Sequence, residues 1–124
     1  MSDANERANI IWFAFSSNRL VISKSVLKTL SNPKFIQIFV SLDRTTLFIK
    51  GCDTKGTQCF TVPPRVYVDV DYKYTLRKAA FSEAICSATG FDKKGRYRLY
   101  GVPVSSEVIG FSFADADRLD NMET

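Results

Sequence analysis

Apolar residues in this chain come in short bursts rather than long blocks, and within the bursts they alternate. Ile10 to Phe15 (IIWFAF), Phe35 to Leu42 (FIQIFVSL), Arg96 to Tyr100 (RYRLY) and Val108 to Phe113 (VIGFSF) are rich in β-branched or aromatic side chains. Ser, Asn, Asp or Gly stand at most of their ends, which is the pattern of short strands joined by turns. In Phe35 to Leu42 the period of two puts Ile36, Ile38, Val40 and Leu42 on one face, with Phe35, Gln37, Phe39 and Ser41 on the other. No apolar run approaches the ~20 residues that span a bilayer, so a membrane partner is not expected.

Helical spacing interrupts these bursts twice. Ser23 is a good N-cap for a helix from Lys24 to Leu30, with Val26, Leu27 and Leu30 on one face, and Asn32-Pro33 stops it. A second helix is predicted from about Arg77 to Thr89, where Phe81, Ala84, Ile85 and Ala88 make the apolar stripe and Gly90 the left-handed cap. Between the helices, Thr45 to Lys50 is the hairpin partner of the strand before it, across Asp43-Arg44. Gln58 to Val62 is a strand ending at Pro63-Pro64, and Arg65 to Val70 is expected to be extended. Leu20 to Ile49 and Tyr74 to Phe113 then both run strand, helix, strand, strand. The expectation is one α+β domain over residues 10–113, an antiparallel or mixed sheet with two helices, built from two β-α-β-β pattern repeats. A flexible segment 1–9 and an acidic tail 114–124 are expected to flank it. The 124 residues suffice for one core without metal or disulfide staples.

The chain contains no His, which removes the Ser-His-Asp and Cys-His catalytic devices. Phosphate-loop, dinucleotide-fold and zinc-protease motifs are absent too, so a binding protein is expected rather than an enzyme, with no cofactor. Cys52, Cys59 and Cys86 are odd in number, and Met1 to Asn9 is polar and charged. Both point to a cytoplasmic protein with reduced thiols. Cys52 and Cys59 are too far apart for a CxxC zinc knuckle, and Asp69 and Asp71 read as solvated carboxylates, so no metal site is expected.

Charge is more informative. The formal net charge is +4, yet Asp115, Asp117, Asp120 and Glu123 against Arg118 leave residues 114–124 at −3. Between Lys73 and Arg98, seven basic residues face only Glu83 and Asp92. An anionic partner follows. In the strand Gly95 to Gly101, alternation puts Arg96, Arg98 and Tyr100 on one face. Two guanidinium forks beside a phenol suit a nucleotide, since Arg pairs with phosphate and the ring offers a base a stacking platform. Lys93 and Lys94 in the preceding turn, and Arg77 and Lys78 at the helix start, would add field. The polar loop Gly51 to Thr57 is a second, weaker candidate for close approach to a ligand.

Two resemblances bear on function. Val21-Ile22-Ser23-Lys24, a short helix, Asn32-Pro33 and two strands through Ile49 resemble the half-unit of swapped-hairpin transcription regulators of the AbrB type, with Asn32-Pro33-Lys34 where that family has a Gly-Asp turn. That resemblance implies DNA as a partner. The small two-helix layout, with VISK near the start and GFDKKGRYRLYG (Gly90 to Gly101) later, resembles small phage proteins that sequester cyclic nucleotide signals in anti-Thoeris defence. It implies a homo-oligomer that buries a signalling nucleotide without cleaving it, with Phe81, Arg96 and Arg98 as contacts. The expected function is therefore sequestration of a phosphate-bearing nucleotide, with a DNA-binding regulator or a protein inhibitor of a host enzyme as alternatives.

Overall fold

The computed structural model describes residues 9–119. The expectations of a flexible segment over residues 1–8 and of the tail beyond residue 119 lie outside the described residues. Asn9 and residues 114–119, expected to flank the domain, belong to the fold. Asn9 is buried, its carbonyl accepting from Gly101 N at 2.6 Å, and the chain after Phe113 returns to pair with the sheet.

Among the described residues the strands are β1 (Ile10–Ala14), β2 (Arg19–Ile22), β3 (Phe35–Val40), β4 (Thr46–Cys52), β5 (Cys59–Thr61), β6 (Tyr74–Arg77), β7 (Arg96–Pro103), β8 (Val108–Ser112) and β9 (Asp117–Arg118). The helices are α1 (Lys24–Thr29), α2 (Arg65–Val68) and α3 (Ala79–Thr89). All strand pairs are antiparallel, in the order β5-β3-β4-β8-β7-β1-β2-β6, with β9 against the edge of β7 opposite β1. The result is an α+β fold on one curled sheet.

Two departures have local causes. Three helices replace the expected two, because Arg65 to Val68 is helical where an extended segment was expected. Pro64 already sits at φ −56°, ψ −26°, and the first turn closes with Val66 N donating to Pro63 O and Tyr67 N to Pro64 O, both at 3.0 Å. A proline ring supplies helical φ in advance at a helix start, so Pro63-Pro64 opens α2 as well as ending β5. The turn after β3 does without glycine because Arg44 takes φ 63° and the Asp43 carboxylate accepts from Ser41 Oγ and from Thr45 N and Oγ1. Those bonds hold the Asp43 carboxyl below its usual range.

Strand β7 divides the sheet into two halves. Its first part, Arg96 to Tyr100, pairs with β1, and its end, Gly101 to Pro103, pairs with β8. At the division Gly101 leaves no room for a side chain: a Cβ there would lie 2.6 Å from Ile109 Cγ2 and from the Phe111 ring. Inward-facing residues of both halves share one core, in which Phe13, Leu20, Leu99, Leu47, Ile49 and Phe111 are almost wholly buried. Each such side chain contributes about 1.5–3 kcal/mol by leaving water. Helix α1 adds Val26 and Leu27, and α3 adds Ile85 and Cys86.

Candidate functional site: a cationic groove on the outer face

Because Phe13, Leu20 and Leu99 point inward, the pleat turns their neighbours outward. The registers then build a grid on the outer face of the first half. One row, read across the strands, is Arg77 on β6, Arg19 on β2, Ala14 on β1 and Arg96 on β7. The next is Thr75, Val21, Trp12, Arg98 and Asp117, the last from β9. Beyond them come Ile10 and Tyr100.

A groove of about 540 Å³ lies over this grid. Its floor is Trp12, Val21 and Ala14, and its rims are the loop carrying Val70, Tyr72 and Lys73 on one side and Leu119 on the other. Arg19, Lys24, Lys73 and Arg96 line it, and among the described residues its lining contains no Asp or Glu. That volume falls in the range of small-molecule sites. Arg19 Nε, like Arg98 Nε outside the groove lining, is buried and has no hydrogen-bond partner among the described residues. Lys24 Nζ donates to the Asp69 carbonyl, tying the rim loop to the start of α1. Leu119 is held by its backbone N–H donating to Arg96 O at 2.8 Å.

The structure divides the residues expected at the site. Arg96 lines the groove, and Arg77 lies next to Arg19 at the end of the same row. Arg98 and Tyr100 share the outer face with Arg96, as the alternation implies, but turn to the chain's own Asp117. Arg98 Nη2 is 3.4 Å from Asp117 Oδ2, and the Tyr100 hydroxyl donates to that oxygen at 2.6 Å. The carboxylate's hydrogen bond, together with burial, raises the Tyr100 pKa. Lys94 caps an exposed turn through its backbone N–H to Asp92 Oδ1, and Lys78 sits at the N-cap of α3; neither lines the groove. Phe81 is on the other side of the sheet, its ring 6.3 Å from that of inward-facing Phe13 and 6.5 Å from that of Phe60.

Sequence reasoning did not single out Trp12, Arg19 or Lys24. Arg19 did carry a signal, as a charge opening a strand whose Leu20 and Ile22 face inward. The loop Gly51 to Thr57 borders a second groove, where Cys52 and Cys59 meet Lys50, Asp53 and Glu107. Burial, then the neighbouring Cys59, raise the Cys52 thiol pKa, and burial raises that of Cys86. Thiols so placed are poor nucleophiles near neutral pH. Among the described residues no three His, Cys, Asp or Glu side chains gather as metal ligands, and no helix is long and apolar enough to cross a membrane.

No protein-family model, curated protein or solved structure matches the chain.

Proposed function

We propose that this protein binds a phosphate-bearing nucleotide in the groove over Trp12 and sequesters it without chemical change. The observation that carries the proposal is an indole floor among four cationic side chains, with no carboxylate among the described lining residues. A base stacked on the indole gains ~1–3 kcal/mol, and guanidinium groups pair with phosphate through charge-assisted bonds. The buried Arg19 Nε, without a hydrogen-bond partner among the described residues, supports a phosphate at the Arg19–Arg96 end.

The resemblance to nucleotide-sequestering phage proteins extends this reading to a cytoplasmic, homo-oligomeric anti-defence sponge. Its oligomeric part draws support from the outer face of the other half of the sheet, where Phe39, Phe48 and Val102 form an apolar row. The two-repeat reading of the chain draws support from the pairing of β2 with β6 and of β4 with β8, which sets equivalent strands of the two units side by side.

Trp12 is the chain's single tryptophan, so its fluorescence reports directly on the groove. Titration with adenine and guanine nucleotides is expected to change the emission and raise the melting temperature. Arg19→Ala, followed by emission, or Trp12→Ala, followed by thermal shift because it removes the fluorophore, is expected to weaken binding by about 5- to 150-fold, the equivalent of one stacking or charged contact. No emission change and no thermal shift with any nucleotide at millimolar concentration would overturn the proposal.

A further inference from the structure

Cations occupy both ends of the groove, with an apolar stretch between them. At one end stand Arg19 and Arg96, in the same row across the sheet. At the other stand Lys73 and Lys24. Ile22 pairs with Tyr74, so Lys73 lies level with Ser23, four residues along β2 from Arg19. At roughly 3.4 Å per residue, the backbone positions of the two ends lie about 14 Å apart. Halfway between them is the row holding Val21 and Trp12, which carries no charge inside the groove. Flexible Lys and Arg stems shorten or lengthen that span by several ångströms, but no single phosphate or compact triphosphate reaches both ends while its base lies on Trp12.

We infer that the natural ligand carries two separated terminal phosphates with a base stacked between them, as a short dinucleotide phosphorylated at both ends does, its internal phosphodiester adding one further charge. This rests on the proposed nucleotide-binding role and names the ligand class for it. One end of the ligand meets the Arg19 guanidinium, with Arg96 in the same row adding charge, which favours a terminal phosphate dianion with several oxygens to share. The other meets the Lys73 ammonium, a point charge that accepts a phosphate in many orientations, with the Lys24 ammonium, held on the Asp69 carbonyl, adding field. A groove of about 540 Å³ bounded by Leu119 and the Val70–Lys73 loop suits one small molecule rather than a long strand.

The test follows Trp12 emission in the whole protein with four probes: adenosine monophosphate, adenosine triphosphate, the linear dinucleotide pApAp, and a ten-residue single-stranded oligonucleotide. The triphosphate carries roughly four charges, all at one end, and pApAp roughly five, spread over both termini and the internal phosphodiester, so the pair differs chiefly in charge spacing. The dinucleotide is expected to bind about tenfold more tightly than the triphosphate, the equivalent of one additional charged contact. Lys73→Ala is expected to bring the two affinities close together, whereas Arg19→Ala lowers both. Equal affinities in the wild type, or an advantage unaltered by Lys73→Ala, would overturn the inference while leaving mononucleotide binding intact. An oligonucleotide that outbinds pApAp with a steep salt dependence would overturn it in favour of a nucleic-acid surface. If none of the four binds, the nucleotide reading itself falls.

Discussion

The two outer faces of this sheet have the same pleat and opposite chemistry. On the half made of β6, β2, β1 and the start of β7, the outward positions include Arg77, Arg19, Arg96 and Arg98 around Trp12, Val21 and Ala14. On the half made of β3, β4, β8 and the end of β7, a row across the strands reads Phe39, Phe48, Gly110 and Val102. Phe39 stacks on Phe48 with ring centroids 5.4 Å apart, and Val104 approaches the same saddle over Gly110. Strand β7 contributes to both, passing from Arg96, Arg98 and Tyr100 to Val102 on one outward edge. The core beneath is continuous, so the contrast costs little in folding. It teaches that this fold separates a charged surface from an apolar one by side-chain choice at alternate positions, with one strand spanning the boundary.

The largest expected effect comes from breaking that boundary. Gly101→Ala puts a Cβ against Ile109 and Phe111, both fully buried, and is expected to destabilise the protein by about 1–3 kcal/mol. Both faces should be lost in one transition, measured by urea unfolding followed through Trp12 emission and far-UV circular dichroism together. Two separate transitions would show that the halves fold independently.

A smaller effect is expected at Tyr67, whose hydroxyl donates to Pro33 O at 2.6 Å and anchors α2 ahead of the groove's rim loop. Burial raises its phenol to about 12, above the usual 10. The fold favours the protonated form, so that contribution is complete below about pH 10 and is lost as pH climbs through about 12. Urea midpoints should fall across this window in the wild type and fall less in Tyr67→Phe. At neutral pH that variant is expected to lose about 1 kcal/mol, the worth of one hydrogen bond.

The smallest stability change is expected at Phe39, which is 44% exposed. Phe39→Ser should cost less than about 1 kcal/mol, mostly its ring contact with Phe48. It sharpens the comparison by its other readout: self-association measured by analytical ultracentrifugation should fall, while nucleotide titration of Trp12 is unaffected.

Much of this was readable in the chain because it is local. Alternation in Gly95 to Gly101 assigned Arg96, Arg98 and Tyr100 to one face, and Gly90 does take the left-handed conformation at φ 77° that its place after a helix implied. Other features were hidden because they depend on partners distant in sequence. Nothing near Arg98 announces that Asp117 returns beside it, and nothing near Phe81 tells that its ring turns to Phe13 and Phe60. Pro63-Pro64 is ambiguous in itself, since the same ring that ends a strand also starts a helix.

The sequence by itself determined the α+β class, most of the strands, and a surplus of cations, because side-chain periodicity and charge are properties of neighbouring residues. Only the tertiary structure decided that Arg19 and Arg96 share a row beside Trp12 while Arg98 and Tyr100 are drawn to an internal carboxylate. Which strands become neighbours, and in what register, is decided by how the whole core packs, and no short stretch of chain carries that information.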